Sequence, residues 1–171
     1  MSNIPSTPID GNFKVVVAPT IALITAPKVT ELSGATAKDI SCYLTGSGWN
    51  LSIDQASISD DRLCDTFTSE QPGRKSVSLE LTYIDNTNSA NSSTFNDAAG
   101  ALVEGTTVHL VTRTGKPFNG AFTATTDKVN VFKAVAGVAT PVAPEANSVQ
   151  RVTQKFFVQD YALNVAVVAG P

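Results

Sequence analysis

Polar and apolar residues alternate most regularly between residues 75 and 85 of this sequence. The apolar side of the alternation consists of Val77, Leu79, Leu81 and Tyr83. Successive side chains of a β-strand point to opposite faces, so a period of two places one face on a core and the other in water. The pattern therefore predicts a half-buried strand.

A second alternation covers residues 36–54. It predicts a hairpin with one strand ending near Leu44, a turn at Gly46-Ser47-Gly48, and a second strand that begins at Trp49. The large, amphipathic indole suits an anchor half-buried in that strand.

Residues 13–25, FKVVVAPTIALIT, are apolar on both faces. Pro19 lacks a backbone donor and is expected to split them into two short strands. Apolar residues on both faces indicate burial on both faces, and another subunit could cover one of them.

Helical spacing occurs once, within residues 93–104. Ser92, Ser93 or Thr94 would cap the first amides, and Gly105 suits the left-handed position after the last turn. The predicted apolar stripe is Phe95, Ala98, Ala99 and Leu102.

The remaining apolar segments predict strands at 106–114, 127–135, 148–160 and 162–169, with a loop rich in alanine and proline at 137–147. In total, eight to ten short strands and one helix predict a mainly-β sandwich or barrel. Residues 1–11 are interpreted as an N-terminal arm, and residues 12–171 as a single domain.

Composition and charge limit the classes of function that the chain can have. The chain has 171 residues, 42% hydrophobic and 16% charged, with a net charge of −3. The sequence contains no cluster of basic residues, which argues against tight nucleic-acid binding. No signal-peptide pattern or apolar run of ~20 residues is present, so we expect a cytoplasmic protein and no membrane partner. Cys42 and Cys64 are expected to be structural thiols, with a disulfide between them as the alternative.

No catalytic constellation is evident. His109, the single histidine, is interpreted as a strand side chain at a surface or interface. No Gly-x-Ser-x-Gly elbow or metal-ligand spacing occurs. Residues 115–120, GKPFNG, are typical of a turn rather than a phosphate loop. We predict no enzymatic activity, catalytic residue, metal or cofactor.

Charge is concentrated in one stretch. Residues 57–76 hold seven of the 27 charged residues, in what the pattern predicts is an extended inter-strand loop at about 54–74. The Asp60–Asp61 pair indicates solvated or inter-subunit charge rather than acid–base catalysis.

Three segments carry a family resemblance: CYLTGSGWN, DDRLCDTFTSEQPGRKSVSLELTY and APEANSVQRVTQKFFV. In this order they resemble the major tail tube proteins of long-tailed, siphovirus-type phages, particularly those that infect actinobacteria. The resemblance covers roughly residues 35–170, and the middle segment is the most specific.

The resemblance implies a structural virion protein that forms hexameric rings, which stack into a hollow tube for genome delivery. Each subunit would contribute strands to a continuous inner β-barrel, with its helix outside. Implied partners are further copies of the chain, the tape measure protein, the tail terminator and tail-tip proteins, while double-stranded DNA passes without specific binding. The tube would assemble in the host bacterial cytoplasm.

The resemblance also assigns roles to residues. Contacts between subunits would come from Asp60, Asp61, Arg62, Leu63, Asp65, Glu70, Arg74 and Lys75. Candidate channel-facing residues are Asn50, Ser52, Asp54, Ser78, Glu80 and Thr82. Carboxylates such as Glu80 and Asp54 would repel phosphate.

Three alternatives stay open. The polar strand face could be the ordinary wet face of a sandwich. The chain could be a tube protein of a contractile injection or type VI system. It could also be a monomeric immunoglobulin-like binding or adhesin domain.

Overall fold

Seven antiparallel strands and two short helices make up the part of the chain that the computed structural model describes, residues 4–64 and 66–170. In chain order the elements are β1 (Phe13–Ala18), α1 (Val29–Ser33), β2 (Lys38–Asp39), β3 (Leu44–Asp60), β4 (Ser69–Ile84), α2 (Asp97–Ala101), β5 (Thr107–Thr114), β6 (Lys128–Pro141) and β7 (Arg151–Ala166). The strand order is β2-β1-β5-β6-β7-β4-β3.

The mainly-β fold class is confirmed, but the strands are fewer and longer than predicted. β3, β4 and β7 have 17, 16 and 16 residues, and β6 has 14. The segments predicted as separate strands at 148–160 and 162–169 form β7, because pairing with β6 continues through both. Residues 4–11 contain turns but no helix or strand. The division into arm and domain stays a prediction.

The sheet bends around its main hydrophobic core. Register shifts interrupt the β6–β7 pairing at three places, and bulges of this kind bend and twist strands. Side chains from β1, β5 and β6 thereby meet side chains from β4 and β7. The Trp49 ring lies 6.0 Å from the Phe13 ring and 5.9 Å from the Phe132 ring, centroid to centroid. The predicted role of Trp49 as a half-buried anchor is confirmed.

A second core explains why β1 is apolar on both faces. Val16 and Ala18 pack on the opposite side of the sheet from the main core, against Leu32 of α1 and Phe122. The predicted strand after Pro19 is wrong, because β1 ends at Ala18 and the chain then crosses the side of the sheet opposite the main core, where Ile21 is buried. The same subunit therefore covers both faces of β1.

The helix prediction is right in place and wrong in length. α2 spans only Asp97–Ala101, and its N-cap residue Asn96 makes no side-chain capping bond. The preceding residues form turns in which the Asn86 side chain donates to the Phe95 carbonyl at 2.7 Å. Ala98 is buried, whereas Phe95 of the predicted stripe is exposed. Gly105 has the expected positive φ, +77°.

The predicted hairpin at residues 46–48 is a bulge. The β3–β4 register shifts between Leu44 and Trp49, so β3 passes through this segment without reversing. A Cβ at Gly48 would lie 2.2 Å from the Thr82 carbonyl oxygen, so only glycine fits there. The strand expected before it is reduced to the two residues of β2, which pair with β1.

Candidate assembly surfaces

The charged stretch forms a β-hairpin that continues β3 and β4 beyond the core. We call residues 54–75 the hairpin extension. Cross-strand partners include Asp54 with Ser76 and Ser59 with Glu70, and the strands stop at residues 60 and 69. The predicted loop at 54–74 is therefore mostly strand. A Cβ at Gly73 would lie 2.8 Å from the Ala56 carbonyl oxygen, so glycine permits the local bulge.

The hairpin extension has no core beneath it. Its described residues are exposed except for Asp60 and Gly73, which are half-buried. Ile58 is 57% exposed and Phe67 is 78% exposed, and Leu63 at the tip is fully exposed. An isolated two-stranded hairpin is marginally stable in water, and exposed clusters of large apolar side chains mark interaction sites. These features are typical of an interaction surface.

The predicted inter-subunit residues are spread along this hairpin. Arg62 forms a two-pronged ion pair with Asp60, at 3.0 Å from Nε to Oδ1 and 2.9 Å from Nη2 to Oδ2. Asp65 lies outside the described residues. The remaining exposed members of the predicted set are Asp61, Leu63, Glu70, Arg74 and Lys75.

The predicted channel-facing residues share one face of the sheet. Asn50 pairs with Glu80 and Ser52 with Ser78 across β3 and β4, and Ser52 donates to Asp54 at 2.8 Å. We call this side of β3, β4 and β7 the polar face. It comprises Asn50, Ser52, Asp54, Ser78, Glu80, Thr82, Thr153 and Lys155.

Two lysines on this side of the sheet were not among the predicted residues. Lys155 stands opposite Glu80 on neighbouring strands, and Lys133 stands opposite Asp160. A lysine therefore stands opposite a carboxylate in each of these two pairs, and this side of the sheet is less acidic than Glu80 and Asp54 alone suggested. The sequence pattern did not predict the position of Lys155, because β7 buries the polar Gln154 and exposes the apolar Phe157.

Gln154 is buried in a fully paired polar cluster. Its Oε1 accepts a hydrogen bond from the Tyr83 hydroxyl at 2.9 Å. Its Nε2 donates to the carbonyl oxygens of Leu102 at 2.9 Å and Gly137 at 2.7 Å. Burial, assisted by the negative charge of Asp85, raises the pKa of Tyr83 to about 12. The cluster ties β4 and β7 to the end of α2 and to β6.

Residues 115–120 form a turn, as predicted, and a buried ion pair holds it. Arg113 Nη1 lies 2.9 Å from Asp127 Oδ2, and its Nη2 donates to the carbonyl oxygens of Pro117 and Gly120. Asp127 also accepts from Lys116 and from the Thr123 amide. Burial alone would raise the pKa of Asp127, but these donors outweigh it and the pKa is lowered.

His109 is a strand side chain, as predicted, but it is buried within the subunit and does not lie at a surface or interface. It pairs with Ala18 across β1 and β5. Burial lowers the pKa of its imidazole, which favours the neutral form. Within residues 4–64 and 66–170, no cluster of three or more histidine, cysteine or carboxylate side chains could hold a metal ion.

The two cysteines lie at opposite ends of β3. Cys42 precedes the strand and Cys64 follows it. A strand of this length extends about 55 Å, whereas a disulfide needs Cα atoms within about 7 Å. The alternative of a bond between Cys42 and Cys64 of one chain is incompatible with this fold.

Together, the surfaces define a class of protein: a bent β-sheet subunit with a long polar face and a projecting hairpin that lacks a core of its own. The model of the phage tail tube protein family matches residues 1–171, so the chain belongs to that family. No curated protein matches it.

A solved structure shares the fold. A chain of the anti-feeding prophage (AFP) baseplate, determined by cryo-EM and 6-fold symmetrised, is 14% identical, with a TM-score of 0.55. The match covers 96% of the present chain and 98% of the baseplate chain. No helix in the described part of the chain is long and apolar enough to cross a membrane.

Proposed function

We propose that this protein is a major tail tube subunit of siphovirus type, which forms hexameric rings that stack into a hollow tube for genome delivery. Family membership supports assembly into a multi-subunit tail. The fold is similar to that of a chain from a baseplate with imposed six-fold symmetry, which supports six as the ring number.

The observation that carries the proposal is the polar face on the long strands. Its opposite side holds the main core, with Leu79, Leu81 and Phe156 fully buried. Four long strands from each of six subunits would give ~24 strands, and barrels of about 16–18 strands already leave an aqueous channel. In this arrangement the polar face lines the channel, and its mixture of acids and bases gives passing DNA no basic track to bind.

The hairpin extension supplies the contact between subunits. Its exposed apolar tip becomes buried against a neighbour, and its charges select partner and register. Misplaced like charges at an interface cost several kcal/mol, whereas each exposed pair contributes only ~0–1 kcal/mol. Stacking strength therefore comes from many repeated small contacts.

The proposed partners follow from this position in a virion. They are further copies of the chain, the tape measure protein inside the tube, and the terminator and tail-tip proteins at its ends. The tube assembles in the bacterial cytoplasm. The role is structural and not enzymatic, in keeping with a structural family.

Negative-stain electron microscopy of the purified protein over a range of concentrations tests the proposal. We expect rings or tubes with six-fold end views that increase with concentration. Particles that stay monomeric at every concentration and salt level, even when tail-tip complexes are added as initiators, would contradict it.

A second candidate is a tube protein of a contractile injection or type VI system, which would share the fold and also bind a sheath. The likeness to the anti-feeding prophage chain favours keeping it. A neighbouring sheath gene whose product polymerises on these tubes would establish it, and bare tubes in the native particle would exclude it.

A further inference from the structure

His109 lies at the junction between the sheet and a segment that covers it. It stands on β5 opposite Ala18, the last residue of β1. We call the next part of the chain, residues 19–37 with α1 inside it, the strap. The strap buries Ile21 and Leu32 in the second core, on the side of the sheet opposite the main core. Because alternate residues of a strand share a face, the His109 side chain lies on this covered side.

The buried imidazole can take up a proton only at a cost in free energy. His109 is 6% exposed, and its Nδ1 has no hydrogen-bond partner among the described residues. An imidazolium carries a donor on both ring nitrogens. The backbone carbonyls of Ala18 and Pro19 favour the charged form, but burial outweighs them and lowers the pKa of the imidazole. Because a buried charge without full hydrogen bonding is unfavourable, the closed strap favours neutral histidine.

The surrounding charges do not compensate for this cost. Lys133 stands beside the imidazole on β6 and opposes a second positive charge, whereas Glu31 of α1 favours one. Beyond Lys133, Asp160 of β7 is exposed to solvent. The nearest charged residues of this face on β1 and β5 are Lys14 and Arg113, and each forms an ion pair with an aspartate.

The strap is held to the sheet without a strand ladder. Its shape is fixed by Glu31, whose two carboxylate oxygens accept the Ala22 amide at 3.0 Å and the Lys28 amide at 2.9 Å. Val168 accepts one backbone hydrogen bond from the strap at 3.0 Å and donates another to it at 2.9 Å. In contrast, β1 pairs with β5 along its whole length. Segments with few backbone bonds and a small core open before the central strands do.

We propose that the strap is an acid-sensitive cover, and that protonation of His109 favours its opening and exposes the second core. Opening brings the imidazolium into water, which supplies the missing hydrogen bonds. The device acts within one subunit and is independent of the proposed function.

The pH range follows from linkage. The stabilisation of the closed strap is fully present above the ordinary pKa of histidine, which is about 6.5, and is lost as the pH falls towards the lower pKa of the closed state. Within this range the ratio of open to closed strap rises up to about tenfold for each pH unit. The ordinary pKa of a carboxyl group is about 4, so Asp127 contributes little above pH 5.

Nuclear magnetic resonance of dilute subunits tests the proposal. His109 is the single histidine, so one imidazole signal gives its pKa directly, and we expect a value below about 6.5. The amides of Ala22 and Lys28 report on the strap, and those of Leu79 and Leu81 report on the main core. Between pH 7 and pH 5, hydrogen exchange corrected for its intrinsic rate should rise about threefold or more at the strap amides and stay constant in the core.

Three variants separate the histidine from other causes. His109→Gln keeps a polar side chain that does not titrate, and it should abolish the pH dependence. Lys133→Gln removes the neighbouring like charge, so it should raise the imidazole pKa and weaken the pH dependence, and it provides a test if His109→Gln does not fold. Lys128→Gln, at an exposed lysine of the same strand, should behave as the wild type.

Three results would overturn the proposal. The first is an equal rise in exchange at the strap and in the main core, which would indicate global destabilisation. The second is a rise at the strap that persists in His109→Gln. The third is an imidazole that titrates at or above about pH 6.5 in the folded subunit.

Discussion

Gln154 joins four elements through three hydrogen bonds, and its side chain has no exposed surface. Removing one member of a buried network leaves its partners unsatisfied, which costs more than a single hydrogen bond contributes. The residue therefore matters both to the free energy of unfolding and to the position of β6.

We expect Gln154→Leu to lower the free energy of unfolding by about 2–4 kcal/mol, because three polar groups lose their partner. Urea denaturation followed by circular dichroism measures it. Tyr83→Phe is the matched control, since it removes only the hydroxyl donor and should cost about 1 kcal/mol. Equal losses from both variants would show that the two amide donations contribute little.

Asp127 makes stability depend on pH. Its pKa is lowered in the folded state, so the unfolded chain binds more protons than the folded one as the medium becomes acidic. The stabilisation is present above the unfolded pKa, which is about 3.9, and is lost as the pH falls through the lower folded value.

We expect Asp127→Asn to be clearly less stable than the wild type at pH 7, with the difference shrinking between pH 5 and pH 2. Urea midpoints over this range measure it. Asp97→Asn serves as the control because Asp97 forms an exposed ion pair with Lys38, and such pairs contribute little. A difference for Asp127→Asn that is independent of pH would contradict the linkage.

At the scale of elements, the hairpin extension allows the proposed assembly to be tested separately from folding. Leu63 and Phe67 are exposed in the subunit, so replacing them should not change its core. We expect Leu63→Ser with Phe67→Ser to leave the thermal midpoint within about 2 °C of the wild type, as for surface substitutions, while tube formation by electron microscopy is lost. Val149→Ser is a control at another exposed apolar residue. Normal tubes from the double variant would show that the tip is not buried on assembly.

The charges of the same element should control register. We expect Arg62→Glu with Arg74→Glu to impair tube assembly while the subunit stays folded, because reversed charges meet like charges across the interface. Sedimentation velocity gives the assembled fraction. Lys116→Glu is unsuitable as a control because Lys116 binds Asp127, whereas Lys128→Glu changes an exposed residue outside the hairpin. Unimpaired assembly of the double variant would exclude this role for the charges.

The success of sequence prediction differed between elements for physical reasons. β4 was predictable because its core half alternates strictly, with Leu79, Leu81 and Tyr83 buried. The strands of the hairpin extension were not predictable, because both of their faces are exposed to solvent and their apolar residues do not recur with a period of two. The buried face of β7 could not be predicted from alternation, since it includes the polar Gln154, whose hydrogen-bond partners are far away in sequence. Alternation along β3 and β4 was enough to predict that the channel-facing candidates share one face. Placing Lys155 on that face required the pairing register of β4 and β7.

At the scale of the whole molecule, the polar face either lines a channel or faces the surrounding solution. The two alternatives differ in which molecules can reach the polar face. Ser78 is exposed on the polar face of the single subunit, and a channel would restrict it to molecules narrow enough to enter. Asn88 is exposed in the turns that precede α2, on the side that the proposed tube turns outwards.

We therefore expect Ser78→Cys, with Cys42 and Cys64 replaced by serine, to react with a small maleimide in both subunits and tubes. A maleimide coupled to a bulky globular protein should label Ser78→Cys in the subunit only, because closing the barrel excludes particles wider than the channel. Asn88→Cys should accept both reagents in both states. Gel shifts after quenching measure the labelled fraction. Full labelling of Ser78→Cys by the bulky reagent in intact tubes would place the polar face on the outside of the tube. The polar face would then not line the channel.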